Sequence, residues 1–88
     1  MLMRKPILLP ELGAAPAVLS VWFAEPGETV YEGDRLVEIL VDGATFDVSS
    51  PASGRLLEKW VFPDESLQAG QVLGLVEAEL SENDLTQK

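Results

Sequence analysis

The stretch Ile39-Leu40-Val41-Asp42-Gly43-Ala44-Thr45-Phe46-Asp47-Val48 contains two short apolar segments separated by Asp42-Gly43. Both segments are rich in β-branched and large apolar residues, which favour strands. An Asp-Gly pair between two such segments is among the strongest signals for a two-residue type I′ hairpin, because glycine accepts a positive φ without steric cost. The stretch therefore predicts a β-hairpin with Asp42 and Gly43 at its tip.

The same β pattern continues along the rest of the chain. Short apolar clusters alternate with Pro, Gly, Asp and Ser, and no window keeps the 3.6-residue period of a long helix. The six prolines suit turns, strand edges and strand starts better than helix interiors. The sequence thus predicts an all-β fold. The predicted strands are Ile7–Leu9, Val18–Phe23, Thr29-Val30, Leu36–Val41, Thr45–Val48, Arg55–Val61, Ser66-Leu67 and Leu73–Glu77.

The chain also matches itself when it is shifted by 37 residues without a gap. The matching pairs are Leu19 with Leu56, Pro26 with Pro63, Glu28 with Glu65, Thr29 with Ser66, Val30 with Leu67, Gly33 with Gly70, Leu36 with Leu73 and Ile39 with Val76. This spacing indicates a duplicated strand–turn–strand unit, with chance similarity between β segments as the alternative. Two such units, each unable to bury its own apolar face, are expected to close on each other as a sandwich or flattened barrel.

Length and composition limit the chemistry that the chain can perform. Its 88 residues allow one small domain, which we expect at residues 1–80, followed by a flexible polar tail at 81–88. There is no cysteine and no histidine. The chain therefore has no thiolate and no imidazole, which is both the usual general base at neutral pH and the commonest metal ligand. We therefore predict a non-enzymatic protein and assign it no catalytic residue and no metal site.

The charge of the chain excludes further classes of partner. Fifteen Asp and Glu residues against six Lys and Arg give a net charge of −9. Such a surface repels nucleic-acid phosphates and anionic lipids, and no apolar run approaches the roughly 20 residues of a membrane span. We predict a cytoplasmic protein that binds neither nucleic acid nor membranes. Glu25, Glu28, Glu32 and Asp34 surround one turn without EF-hand spacing, which favours a solvated acidic turn over a calcium site.

Three motifs occur in an order and at separations that resemble the biotinyl/lipoyl domains. They are LPELG at 9–13, PGETVYEGDRL at 26–36 and DGATFDVSSPASG at 42–54. The resemblance covers about residues 5 to 78 and is greatest to the lipoyl domains of 2-oxoacid dehydrogenase acyltransferases. It implies a flattened barrel of two four-stranded antiparallel sheets with internal pseudo-two-fold symmetry, in which both chain ends lie in one sheet.

The resemblance also implies what the hairpin tip should carry. In that family the tip reads Asp-Lys-Ala, and a ligase joins lipoic acid to the lysine amine. Here Asp42 and Ala44 match, and Gly43 occupies the place of the lysine. Glycine has no amine, so we predict that the attachment position is vacant and that neither lipoate nor biotin is bound there.

Other lysines do not replace the missing one in the sequence. Lys5 is expected at the start of the first strand, Lys59 inside a later strand and Lys88 in the tail, while the repeat relates Gly43 to Leu80. Two hypotheses follow. The first is a lipoyl-like protein-binding or scaffold module, associated with a 2-oxoacid dehydrogenase-type complex. The alternative is a lipoyl carrier domain of an acyltransferase that is modified at an unexpected site.

Apolar residues near the tip are candidate contacts for a protein partner. Leu40 and Val41 fall where lipoyl domains usually have polar residues, and Phe23, Trp60 and Phe62 lie in neighbouring apolar runs. Isolated exposed apolar residues are common, so core and scattered surface placement is the favoured interpretation over a dedicated contact site. The sequence does not identify the partner, and self-association stays open.

Overall fold

The computed structural model describes residues 2–13 and 15–79, and every regular element in these residues is a β-strand. The strands are β1 (Leu2–Leu8), β2 (Ala17–Trp22), β3 (Thr29–Val30), β4 (Arg35–Val41), β5 (Ala44–Ser49), β6 (Gly54–Lys59), β7 (Ser66–Leu67) and β8 (Val72–Glu79). Each predicted strand is present. Among the described residues there is no helix long and apolar enough to cross a membrane. The tail predicted at 81–88 lies outside the described residues.

The largest difference from the predicted boundaries concerns β1. It was predicted as Ile7–Leu9 but begins at Leu2, because it pairs with β8 over its whole length, from Leu2 opposite Glu79 to Leu8 opposite Val72. The added residues include Arg4 and Lys5, which interrupt any apolar cluster. Pairing with an adjacent strand therefore extends β1 where hydrophobicity gives no signal. The other strands differ from their predicted bounds by at most two residues at either end.

The eight strands form two four-stranded antiparallel sheets. Sheet A has the order β1-β8-β6-β3, and sheet B has the order β5-β4-β2-β7. The first and last strands are neighbours in sheet A, as the family resemblance implies. The predicted fold class, an all-β sandwich of two four-stranded antiparallel sheets, is confirmed.

The 37-residue repeat relates the two halves in space. A shift of 37 carries β2 onto β6, β3 onto β7 and β4 onto β8. It also carries the β-bulge between Leu19 and Val21 onto the bulge between Leu56 and Glu58. Agreement of strands and bulges in one register is not expected from chance similarity, so the duplicated unit predicted from the sequence is a real structural repeat.

Backbone hydrogen bonds cross between the two halves. Gly27 N–H donates to the Leu56 carbonyl at 2.8 Å, and Leu56 N–H donates to the Glu28 carbonyl at 3.0 Å. The equivalent bonds run from Asp64 N–H to the Leu19 carbonyl at 2.9 Å and from Leu19 N–H to the Glu65 carbonyl at 3.1 Å. Each turn is thus fastened to the first strand of the opposite half.

The core lies between the sheets and contains one large aromatic residue, Trp22. Its indole N–H donates to the Val61 carbonyl at 2.9 Å, which satisfies a buried donor. Gly74 makes room for the indole, because a Cβ there would lie 3.2 Å from Trp22 Cη2 and would overlap the Glu58 carbonyl. The most fully buried side chains are Ile7, Leu19, Leu36, Val37, Ile39, Leu56, Leu73 and Val76.

We expect Gly74→Ala to lower the free energy of unfolding by about 1–3 kcal/mol, since the added methyl group overpacks the core against backbone and indole. Gly33→Ala is the matched control, because a Cβ on Gly33 meets no heavy atom within 4 Å and the only strain comes from its φ of 91°. Urea denaturation followed by Trp fluorescence measures both. A smaller loss for Gly74→Ala than for Gly33→Ala would contradict the packing described above.

Candidate functional site

Asp42 and Gly43 form the connection between β4 and β5. Val41 pairs with Ala44 across the hairpin, so the loop contains two residues. Asp42 has a φ of 51° and Gly43 a φ of 80°. A type I′ turn requires positive φ at both central residues, and Asp accepts this region better than most other residues. The predicted hairpin tip is confirmed, and both of its residues are exposed.

The space around Gly43 would accommodate a side chain. A Cβ at this position would meet no heavy atom within 4 Å, so a longer side chain would extend into open solvent. The only cost of a substitution is the backbone strain of a positive φ. The tip can therefore present a side chain to another molecule, but glycine supplies neither a nucleophile nor a hydrogen-bonding group there.

The predicted positions of the other lysines are only partly confirmed. Lys5 lies in the middle of β1 and not at its start, because the strand begins at Leu2. Lys88 and Leu80, the repeat-related position of Gly43, lie outside the described residues. Neither Lys5 nor Lys59 stands at the tip of a hairpin in the part of the chain that the structure describes.

Lys59 ends β6 and is engaged in two interactions. Its Nζ lies 2.9 Å from Glu25 Oε1 and 5.7 Å from the centroid of the Trp22 ring, and its side chain is only 16% exposed. The aliphatic stem is packed while the amine is paired, which is the usual arrangement for a lysine at the border of a core. The amine of Lys59 is therefore committed to packing and charge pairing.

The acidic turn predicted from the sequence is exposed, and its carboxylates cap backbone groups. Glu28 Oε1 accepts from Glu25 N–H at 2.7 Å, and Asp34 Oδ2 accepts from Tyr31 N–H at 3.0 Å. In the other half Gln71 takes the place of Asp34 and accepts the equivalent bond. A neutral amide performs the same task, so the carboxylate of Asp34 acts here as a hydrogen-bond acceptor. Among the described residues no group of three or more acids is arranged to hold a metal ion.

The two candidate contact residues next to the tip face opposite ways. Leu40 is 38% exposed, whereas Val41 is only 5% exposed and pairs with buried Ala17. The prediction that named Val41 as a contact is therefore corrected, because this side chain belongs to the core. Phe23 and Trp60, with Phe62, are exposed as large apolar side chains. The sequence named these three residues as members of apolar runs, favoured core or scattered surface placement for them, and gave no signal of which of them share a face.

Comparison with known proteins matches the chain to one family model and to several acyltransferase components. The sequence profile of the biotin/lipoyl attachment family, described as "biotin-requiring enzyme", matches residues 5–76. The chain is 35% identical over 78 residues to the dihydrolipoyllysine-residue succinyltransferase component of the 2-oxoglutarate dehydrogenase complex from Bartonella vinsonii subsp. berkhoffii. It is 30% identical over 79 residues to the lipoamide acyltransferase component of the branched-chain alpha-keto acid dehydrogenase complex from Pseudomonas putida. These matches cover 86% and 88% of this chain but only 19% of each relative.

A solved structure agrees with these matches. The solution structure of the lipoyl domain of the 2-oxoglutarate dehydrogenase complex from Azotobacter vinelandii superposes with a TM-score of 0.61 and 26% sequence identity. The superposition covers 89% of this chain and 95% of that domain. The chain therefore corresponds to nearly the whole of a lipoyl domain and to about a fifth of the length of the curated relatives.

We expect Gly43→Lys to fold with a loss of about 1–2 kcal/mol in the free energy of unfolding, since only the left-handed backbone conformation opposes it. Gly43→Asn should cost less, because Asn tolerates this conformation better than Lys. Urea denaturation of both variants tests the expectation, with circular dichroism to verify the β fold. A loss well above that range for Gly43→Lys would mean that the tip is not open to side chains.

Proposed function

The chain belongs to the biotin/lipoyl attachment family, and from this premise we propose that it is a lipoyl-type domain with a vacant attachment position that acts as a protein-docking module. Members of the family normally carry lipoate or biotin on a lysine. The observation that carries the proposal is Gly43 at the tip of the β4–β5 hairpin. The similarity to acyltransferase components supports placing the domain with the lipoyl type.

The chemistry of attachment explains why the identity of one residue matters. An amide between a prosthetic carboxylic acid and a protein requires a primary amine that a ligase can reach. Asp42 and Ala44 agree with the residues that the family resemblance places beside the lysine, but Gly43 between them has no side chain. The proposal is therefore that neither lipoate nor biotin is carried, and that the domain takes no covalent part in group transfer.

Binding to another protein is the role that this proposal leaves to the domain. The relatives are components of multi-enzyme complexes by their names, which supports a protein partner within a 2-oxoacid dehydrogenase-type assembly. We propose no catalytic residue, since the chain lacks both cysteine and histidine. The cytoplasm remains the predicted location, and a single domain over residues 1–80 remains the predicted organisation.

The alternative is a carrier domain that is modified on another lysine. Among the described residues it would have to use Lys5 or Lys59. Lys5 lies within a paired strand, and Lys59 is held by Glu25 and packs over Trp22. Neither lysine has the exposed position on a hairpin that a lipoyl ligase would recognise. These contacts favour the docking module over the carrier.

The test is intact-mass analysis of the wild-type chain after incubation with an active lipoyl ligase, lipoate and ATP. We expect no adduct on the wild type and one lipoyl group on Gly43→Lys, because the variant restores an amine on an otherwise open tip. Gly33→Lys is the matched control, since Gly33 also has a positive φ and open space but lies outside the hairpin. It should stay unmodified.

An adduct on the wild type, or on protein purified from its native host, would overturn the vacant-site proposal in favour of the carrier. Peptide mapping would then identify the modified lysine. If Gly43→Lys folds and remains unmodified, the surface that the ligase recognises has diverged from that of the family as well.

A further inference from the structure

We propose that the outer face of sheet B is a docking surface for a protein partner whose contact surface is apolar and flanked by Lys and Arg side chains. The centre of this surface is formed by Val18, Val21, Phe23 and Leu40, which we call the outer stripe. The inference rests on the docking role proposed above and specifies the surface and the chemistry of the partner. The observations that locate the surface do not involve Gly43.

The strand register places the outer stripe on one side of sheet B. Val18 pairs with Leu40 across β2 and β4. Their neighbours Leu19 and Ile39 also pair and are completely buried, so Val18 and Leu40 project away from the core. Val21 follows the bulge in β2 and is 38% exposed, like Leu40. The stripe therefore continues along β2 on the solvent side.

Phe23 extends the outer stripe beyond the end of β2. It is 39% exposed, and the Arg35 guanidinium carbon lies 4.3 Å from the centroid of its ring. Arg35 also approaches Asp47, with 3.8 Å between Nη1 and Oδ2. Asp47 pairs with Glu38, which itself pairs with Val21. The aromatic ring and the acidic row thus belong to the same face.

The repeat supplies an internal comparison for the outer stripe. The 37-residue shift relates Val18 to Arg55, Val21 to Glu58 and Leu40 to Glu77. The comparison holds in space, since Arg55 pairs with Glu77 as Val18 pairs with Leu40. Sheet A therefore has charged residues at three positions where sheet B has apolar ones. The fold does not require apolar side chains at these three positions. Half-buried Val18 and exposed Val21 and Leu40 lie on one face of sheet B, and apolar residues grouped in this way indicate a surface that another molecule covers.

The charges beside the outer stripe indicate the chemistry of the partner. Glu38 and Asp47 lie in the adjacent row, and Asp42 lies at the tip beyond Leu40. Arg35 is the one basic residue in the strands of sheet B, and it already contacts Phe23 and Asp47. A partner with Lys and Arg around an apolar centre would complement this face, whereas an acidic partner would be repelled.

The Phe23 end of the outer stripe opens into a shallow depression of about 280 Å³. Its lining includes the carboxylates of Glu28 and Asp34 and one cation, Arg35, which already contacts Phe23 and Asp47. A basic side chain of a partner would find acceptors there next to an aromatic ring. A second copy of this chain is a poorer occupant, because each copy carries the net charge of −9.

The experiment uses two short designed amphipathic peptides that share one leucine face. In the first this face is flanked by Lys, and in the second by Glu. Each is titrated into the ¹⁵N-labelled chain, and amide chemical shifts are recorded. We expect saturable shifts with the Lys peptide, concentrated in β2, β4 and β5, and no saturable shifts with the Glu peptide. Shifts centred on sheet A, or none with the Lys peptide, would overturn the proposal.

Leu40→Glu separates apolar contact from charge attraction. The variant copies the residue at the repeat-related position, Glu77, and should therefore fold. It adds a negative charge, so attraction alone would strengthen binding of the Lys peptide, whereas loss of an apolar anchor should weaken it by about tenfold. Trp60→Ala is the matched control: Trp60 follows β6 of sheet A and is the residue that the repeat relates to Phe23, and this variant should bind as the wild type does. Equal or tighter binding by Leu40→Glu would contradict the inference.

Two further results are distinguishable from these. Concentration-dependent shifts of the β2 and β4 amides without any peptide would assign the outer stripe to a second copy of the chain and overturn the proposed partner. A lipoyl adduct on the wild type would overturn the vacant site while leaving the peptide result intact. Failure of the peptide experiment, conversely, would leave the attachment chemistry of Gly43 unaffected.

Discussion

Two turns that each bind the opposite half hold this fold together. The turn containing Gly27 exchanges two backbone hydrogen bonds with Leu56, and the turn containing Asp64 does the same with Leu19. Leu19 and Leu56 are buried, so water cannot replace these bonds, and breaking one would leave a desolvated polar group at a cost of about 1–3 kcal/mol. Neither repeat can complete its own hydrogen bonding without the other. The duplication therefore restricts which residues can occupy the interior and the turns. The outer faces and the hairpin tip can differ in sequence between the two repeats.

The symmetry is broken in the core, and this break involves Lys59. The repeat relates Lys59 to Trp22 and Gly74 to Val37. The Trp22 indole reaches into the other repeat. Gly74 gives it room, and Lys59 lies over its ring with the amine paired to Glu25. Two tryptophans related by symmetry would compete for this volume in so thin a core. Lys59 therefore serves packing, which is a physical reason to separate it from any carrier role.

Much of the fold could be predicted from the sequence because its signals are local and repeated. The Asp-Gly hairpin and the eight strands follow from turn residues and apolar clusters, and the 37-residue register predicts the two-fold relation. The start of β1 could not be predicted, because Arg4 and Lys5 interrupt the apolar pattern and the strand is defined there by its pairing with β8.

The side on which each candidate contact lies was harder to predict. A β-bulge in β4 allows Leu36 and Val37 both to be buried. The sequence pattern alone therefore does not show which residues of β4 face the core and which face solvent. From Val37 onward strict alternation holds, which exposes Leu40 and buries Val41. The sequence identified both residues as unusual for a lipoyl domain, and the register decides that only Leu40 is accessible.

At the hairpin tip, the residue that best stabilises the turn is not the residue that attachment of a prosthetic group requires. At a φ of 80° glycine is the preferred residue, and any lysine there would cost stability while gaining a reachable amine. A lysine at this position is thus useful only where a prosthetic group is attached, whereas Gly43 favours the turn itself. The outer stripe differs in this respect, since at three of its four positions an apolar side chain stands where the other repeat has a charged one. The proposed function therefore depends on protein binding by the outer face of sheet B and not on a prosthetic group attached at the hairpin tip.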